Sequence, residues 1–385
     1  MKKGSKKATI LGVGTELTTG QITNKNASWI SDKLIPFGLE TAMQLTVPDD
    51  RALILKALDY CAQNSDYIFV TGGLGPTSDD FTRDLISEWS KKKMQFDEKS
   101  WQSIQVRMTS RNLPVKDIQK QQCYFPEGAV VLNNSQGTAN GFQMEVETTH
   151  GLKDVFILPG PPKEIEAIWS ESIAKWLFVE TQLFDKKLTK AWDTLGLPES
   201  EVAEMVEPCF EGRWPDLKYD VGYRVHHPYV EVKFSYYKSQ ENFAKAIVEK
   251  IDKVLEKATA LKNFADITQA FAKLTSNAEF GFYDFVSGGF LHHRLSNELK
   301  KYKNWVWKES QQPLDTDFFA HEENFIALFP QDENLERAVV MGNFNGQSFT
   351  VELEASLKSP LMIERRKQYF AEMALITFVK NVTNA

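Results

Sequence analysis

Apolar residues in the first part of the chain alternate between short continuous runs and stretches with helical spacing. Residues 8–13 predict a buried strand, and residues 26–37 set Trp29, Ile30, Leu34 and Phe37 on one helical face before Gly38 ends it. Residues 40–47 predict a second strand. Asp49 or Asp50 then caps a helix whose apolar face is Leu53, Leu55, Ala57, Leu58 and Cys61, and residues 67–70 form a third strand. This βαβαβ order predicts an α/β fold with a largely parallel sheet covered by helices on both faces. Ligands of such sheets bind beyond the carboxyl ends of the strands, where Gly14, Thr15, Glu16 and residues 71–80 fall.

Helices are expected over residues 82–90 and 98–110, strands near Val130 and over 141–147, and a hairpin turn at His150-Gly151. Residues 154–158 lead into Pro159-Gly-Pro-Pro162, which starts a helix over 163–180 that buries Ile165, Ile168, Trp169, Ile173, Trp176 and Leu177. Residues 184–258 read as a small α+β unit with strands at 188–195, 219–224 and 229–236. Residues 262–266 read as a linker into a third region that ends in a helix over 363–379. No internal repeat or low-complexity tract interrupts this order.

A length of 385 residues predicts two or three domains, and 42% hydrophobic with 25% charged residues is ordinary for a soluble globular protein. Forty-five basic against 52 acidic residues leave a net charge of -7, which disfavours nucleic acid as the main partner. The basic run Lys2, Lys3, Lys6 and Lys7 reads as a solvated tail, and the apolar stretch behind it is too short for a signal peptide. No apolar run reaches the ~20 residues that span a bilayer, so no membrane association is expected. Cys61, Cys123 and Cys209 are odd in number and far apart, which fits a reducing cytoplasm.

Chemistry concentrates in the loop Thr71-Gly72-Gly73-Leu74-Gly75-Pro76-Thr77-Ser78-Asp79-Asp80. Its glycines let the backbone approach a phosphate or ring, and Asp79 and Asp80 offer hard oxygen ligands for a divalent cation. The alternative is that Asp79 caps the helix starting near Thr82. Glu16 reads as a metal ligand or as a general base on water, or as a surface turn acid. Gly12-Val-Gly14 is a weak match to a dinucleotide fingerprint, because Glu16 would fall against the pyrophosphate. Residues 133–141, including Gly137 and Thr138, either recognise a base, sugar or pterin or form an ordinary hairpin loop. Pro159, Gly160 and Lys163 either hold an anion at a helix start or simply initiate the helix. His226-His227 and His292-His293 are read as ordinary residues, since strand neighbours point to opposite faces and no Cys or acid stands at ligand spacing. Phe282, Tyr283, Phe285, Phe290, Trp305 and Trp307 are read as core or interface rather than as a stacking platform.

Six ordered segments together resemble the competence/damage-inducible CinA family: Gly14-Thr-Glu-Leu-Thr-Thr-Gly-Gln-Ile22, Asn26, Val47-Pro-Asp-Asp50, residues 71–80, Gly137-Thr-Ala-Asn-Gly-Phe142 and Leu158-Pro-Gly-Pro-Pro-Lys-Glu164. The resemblance implies a three-layer αβα molybdopterin-binding-like domain over 1–182, a small KH-like α+β domain over 183–260 and a degenerate α/β deamidase-like domain over 265–385. Leu195-Gly-Leu-Pro-Glu-Ser-Glu201 and Val221-Gly-Tyr-Arg-Val-His-His-Pro228 carry the KH-like part, without a GXXG RNA clamp.

For the first domain the family implies hydrolysis of the pyrophosphate of ADP-ribose-like substrates with a divalent cation (magnesium, manganese or cobalt), potassium as a candidate second cation, and a homodimer. Asp79, Asp80 and Glu16 would be the metal and catalytic groups. Substrate would meet Gly14, Thr15, Asn26, Thr71, Gly72, Gly73, Gly75, Thr77, Gly137, Thr138, Pro159, Gly160 and Lys163. A module that binds molybdopterin or a nucleotide without cleaving it, and an oligomeric scaffold, are the alternatives.

Complete relatives deamidate nicotinamide mononucleotide with a serine in an Ala-Glu-Ser-Cys-Thr-Gly-Gly segment. Here Tyr283-Asp-Phe-Val-Ser-Gly-Gly289 puts Phe285 at that position and Ser287 at the threonine. Residues 325–329 lead only into Pro330-Gln-Asp-Glu333, where the family has a glycine-rich motif. In the first domain Asn24 and Lys25 replace the usual Asp-Thr, and Asn140 replaces a proline.

Overall fold

The apolar run at the start of the chain becomes β1 (Lys6–Val13), whose last six residues are buried. The computed structural model describes residues 6–211, 217–263, 265–301, 304–307, 319, 322–355 and 362–383; Lys2 and Lys3 of the basic run lie outside them. Two compact units divide the chain, Met1–Lys187 and Leu188–Ala385.

In the first unit β1 is followed by α1 (Thr15–Thr18), α2 (Lys25–Leu34), β2 (Leu39–Val47), α3 (Arg51–Asn64), β3 (Tyr67–Thr71), α4 (Thr82–Ser90), β4 (Met94–Phe96) and α5 (Glu98–Ser110). Then come β5 (Tyr124–Pro126), β6 (Val130–Leu132), β7 (Gly141–Thr148), β8 (Gly151–Leu158), α6 (Pro162–Ile168) and α7 (Ala174–Glu180). The main sheet runs β2-β1-β3-β8-β7-β6. Its first four strands are parallel; β7, which turns straight back into β8 at Gly151 (φ 88°), runs against them and pairs antiparallel with both β8 and β6. The chain leaves β1 for β2 on one side and crosses back to β3 on the other. That reversal opens a crevice at the carboxyl ends of β1 and β3.

Local chemistry sets the helix phases. The Asn24 side chain accepts from the Ala27 amide to cap α2, and Asp50 accepts from Leu53 to cap α3. With α3 started at Asp50, positions 54, 57, 58, 61 and 62 face the sheet. Ile54 is therefore buried, while Leu53, expected on that face, is exposed. α3 and α4 cover one face of the sheet; α2, α6 and α7 cover the other. Phe69 on β3 and Phe156 on β8 pair in register with rings stacked 4.8 Å apart. Each such burial contributes about 1.5–3 kcal/mol.

Asp154 on β8 opposes this packing. Burial, then the charges of Glu145 and Glu180, push its carboxyl up from 3.8 to about 6. In the unfolded chain the group ionises near 3.8, so stability falls as pH rises through that window and the penalty is complete above about pH 6. Asp154→Asn is expected to stabilise the protein at pH 7 on the order of 1 kcal/mol, reduced from the full shift because water partly screens the group. Urea unfolding should show that gain vanishing near pH 4; an equal gain at both pH values would contradict the assignment.

The second unit holds β9 (Lys187–Leu195), α8 (Glu199–Val206), β10 (Tyr219–His226), β11 (Tyr229–Tyr237), α9 (Glu241–Val254) and β12 (Thr259–Lys262) in a sheet ordered β10-β11-β9-β12. Lys262, expected to begin a linker, instead ends β12, paired with Trp192. Trp192, Val232, Phe234, Ile247 and Ile251 make the core of this part. The remainder is α10 (Ile267–Thr275), β13 (Phe280–Asp284), α11 (Phe290–Leu299), β14 (Trp305–Trp307), β15 (Phe325–Pro330), β16 (Arg337–Phe344), β17 (Gln347–Glu354) and α12 (Ile363–Thr383). Its sheet runs β14-β13-β15-β16-β17 around Phe271, Phe280, Phe282, Phe370 and Phe378. The predicted aromatic core holds for Phe282, Tyr283 and Trp305; Phe285, Phe290 and Trp307 are half-buried. No helix of the described residues is long and apolar enough to cross a membrane.

Candidate functional site

At the end of β1 the Gly14 amide donates to the Val47 carbonyl at 3.0 Å, turning the chain into α1. Thr15 donates to Asp49 Oδ2 through both its amide and its hydroxyl, each at 2.8 Å. Because Asp50 takes the helix cap, its neighbour Asp49 is left to brace this turn. Glu16, next along, lines the cleft.

At the end of β3 the chain folds back in a loop that only glycine permits. Gly72 sits at φ 101°, its amide donates to the Leu158 carbonyl at 3.0 Å, and a Cβ there would lie 2.1 Å from the Val13 carbonyl oxygen. Further on, the Leu74 carbonyl accepts from the Arg83 guanidinium and from Gln122 Nε2 at 3.3 Å. Arg83 is buried behind the loop. Desolvation lowers its pKa to about 10, opposed by the nearby Asp80 carboxylate, so it stays cationic at neutral pH. Asp80 Oδ2 accepts both the amide (3.1 Å) and the hydroxyl of Thr77. α4 starts at Phe81 without any side-chain cap, so Asp79 does not serve as the helix cap. Asp79 and Asp80 both line the cleft.

The opposite wall is residues 159–162, tied to α2 by Asn26 Nδ2 donating to the Gly160 carbonyl at 2.7 Å. Glu164 lines the cleft, whereas Lys163 is exposed and does not. The first turn of α6 sends these adjacent side chains in different directions. Lys25 is likewise exposed and outside the cleft lining.

Within residues 133–141 the side-chain amides of Asn134 and Asn140 are already engaged, by the loop itself and by neighbouring elements. Asn134 accepts from the amides of Gln136 and Gly137 and donates to the Ala139 carbonyl and Glu164 Oε2. Asn140 accepts from the Asn134 amide and donates to Ser100 Oγ. Thr138 alone of Gly137 and Thr138 reaches the lining, and Gly137 lies against the Glu164 carboxylate.

The result is one cleft of about 590 Å³. It brings together Gly14, Glu16, Asn26, Thr71, Gly72, Gly73, Gly75, Thr77, Asp79, Asp80, Thr138, Pro159 and Gly160, with Thr15 and Gly137 in support and Lys163 outside. Asp49, Gln122 and Glu164 also line it, and Arg83 stands behind it; Asp49 and Glu164 fall within the ordered segments without standing out there as site residues, and no local pattern marks Gln122 or Arg83 in the sequence. Three hard carboxylates fit a divalent cation that keeps waters and phosphate oxygens among its ligands. Among the described residues, the three-ligand group with donor atoms all within 4.8 Å is elsewhere, so Glu16, Asp79 and Asp80 make no closed cage.

In the second unit the Phe285 ring stacks on Phe329 at 5.2 Å. Ser287 is fully buried; its hydroxyl donates to Asp284 and accepts from the Leu291 amide at 3.0 Å. Asp284 Oδ1 in turn accepts from the amides of Val286 and Ser287. Both polar side chains are committed to shaping the turn into α11.

Residues 9–178 match the family described as "Probable molybdopterin binding domain". A competence-damage inducible protein of Clostridium novyi (strain NT) is 38% identical over 207 residues, 53% of this chain and 48% of its own length. The chain thus spans about half the length of that relative. A competence-damage inducible protein of Desulforamulus reducens is 31% identical over 297 residues, 75% of this chain and 70% of its own. The solved structure of the protein CinA from Thermoplasma acidophilum is 28% identical and covers 45% of this chain and 98% of that one, at a TM-score of 0.40. On the Desulforamulus match, which extends past the first unit and over 70% of the relative, the chain belongs to the CinA family of competence/damage-inducible proteins.

Proposed function

We propose that the first unit hydrolyses the pyrophosphate bond of ADP-ribose or a similar nucleoside diphosphate sugar, releasing AMP and ribose 5-phosphate. The observation that carries this reading is the convergence of Glu16, Asp79 and Asp80 with the residue 71–75 loop in one cleft at the strand ends. The amides of residues 73–75 support the phosphates, that of Gly72 being committed to the Leu158 carbonyl, and the buried Arg83 adds a fixed positive charge behind them. Thr77 orients Asp80. Glu16 accepts the proton of the attacking water as its oxygen bonds to phosphorus and the bridging P–O bond breaks, with the displaced phosphate leaving as the second product. A divalent cation (magnesium, manganese or cobalt), held by Asp79, Asp80 and Glu16, would supply charge neutralisation on the phosphates when bound; potassium is the proposed second cation, and the assembly a homodimer.

AMP release from ADP-ribose in the presence of each of the three metals tests this directly. Absence of turnover with all three would defeat it. The second reading is a module that binds a nucleotide or molybdopterin without cleaving it, favoured by the family description of residues 9–178 and by an Asp80 oxygen already engaged by Thr77. It predicts tight binding of AMP, ADP-ribose or a pterin with no product under any metal. A pure scaffold would form a stable oligomer with no affinity for these ligands.

The second unit is proposed to lack nicotinamide mononucleotide deamidase activity, because Phe285 has no nucleophilic atom and the Ser287 hydroxyl is buried and bonded. Ammonia release from nicotinamide mononucleotide is expected to stay at the level without protein; enzymatic release would contradict it.

A further inference from the structure

Asp193, His226 and Glu231 stand on β9, β10 and β11, consecutive neighbours in the second unit's first sheet. One donor atom from each lies within 4.8 Å of the others, and His226 Nε2 is 2.9 Å from Asp193 Oδ1. The Asp193 and Glu231 side chains are only 7% and 4% exposed, whereas His226 is 37% exposed and forms the rim. Two carboxylates removed from water on neighbouring strands demand positive charge. Arg224 Nε and Lys233 Nζ lie 3.2 and 3.1 Å from Glu231 Oε2. Yet that buried oxygen accepts no hydrogen bond of good geometry. Both cations belong to long side chains that reach in from more exposed positions, 62% and 38%.

We propose that this cluster is a binding site for a first-row divalent cation, best suited to zinc, with Asp193, His226 and Glu231 as ligands and a water in the fourth position on the exposed side of His226. An imidazole with two carboxylates is a donor set that zinc accepts, and the two carboxylates balance its charge. Zinc–ligand bonds of about 2.0–2.2 Å at tetrahedral angles set ligand atoms roughly 3.4 Å apart, so the cluster, with donor atoms within 4.8 Å of one another, closes on the ion by a movement of about 1 Å. Arg224 and Lys233 compensate the carboxylates in the metal-free protein and swing outward when the cation enters. The bound ion would tie three strands together. The proposal is independent of the chemistry of the first unit.

The test uses the full chain, stripped of metal and titrated with zinc chloride, beside crystals soaked in zinc and measured at the zinc absorption edge. The anomalous signal separates this site from any metal held by the first unit. An anomalous peak bonded to His226 Nε2 is expected, with His226→Gln weakening that equivalent of zinc on the order of 100-fold or more. Lys233→Gln removes a competing cation without removing a ligand and is expected to tighten the same equivalent several-fold. No peak at His226, or zinc binding that is identical in wild type and both variants, overturns the proposal and leaves the cluster an ion-pair network.

Discussion

Asp80→Asn is expected to lower ADP-ribose hydrolysis on the order of 10²- to 10³-fold, a loss of about 2.7–4 kcal/mol of transition-state stabilisation. The substitution isolates charge from shape. Asp80 Oδ2 accepts the Thr77 amide and hydroxyl, and an asparagine oxygen accepts the same two bonds, so the turn that places residue 79 is kept. What disappears is one of the five carboxylate charges lining the cleft, one of the three proposed to hold the cation, and with it the carboxylate that favours the cationic form of Arg83. The effect should fall on kcat in saturating metal, with thermal stability close to wild type. Turnover equal to wild type at every metal concentration would remove Asp80 from the chemistry and favour the binding-module reading.

Gly72→Ala is expected to destabilise the first unit by at least ~3 kcal/mol and to lower its melting temperature on the order of 10 °C. A positive φ alone costs a non-glycine residue about 1–3 kcal/mol. At Gly72 the added carbon would also lie 2.1 Å from the Val13 carbonyl oxygen, a backbone atom at the end of β1, which is held between β2 and β3 and cannot step aside. Gly20 supplies the control: its φ is +75° but a Cβ added there would meet nothing within 4 Å, so Gly20→Ala should show only the smaller backbone penalty. Equal losses of stability in the two variants would show that the contact with β1 is not what confines position 72 to glycine.

Much of the first unit is legible in the sequence because its signals are local. Continuous apolar runs, helical spacing, Asp50 and Gly38 at helix ends and the glycines after β3 each depend on residues a few positions apart. The reading fails where phase matters: Leu53 and Ile54 are equally apolar, but Ile54 stands three, four and seven positions before Ala57, Leu58 and Cys61 and shares their buried face, whereas Leu53 does not. It fails again for Asn134 and Asn140, whose amides look available in a polar stretch but are bonded to Glu164 and Ser100 from other elements.

The sequence by itself determined the α/β order of the first unit, the loop at the end of β3 and the resemblance that the relatives bear out, because those rest on periodicity, glycine placement and ordered motifs. Tertiary structure decided which acids share a cleft, that Glu164 enters it while Lys163 does not, and that Asp79 caps nothing. It also decided that His226, read as an ordinary strand residue, meets an aspartate 33 positions away and a glutamate on the next strand. Strand order and register bring such groups together, and both are settled by packing across the whole unit, which no window of neighbouring residues contains.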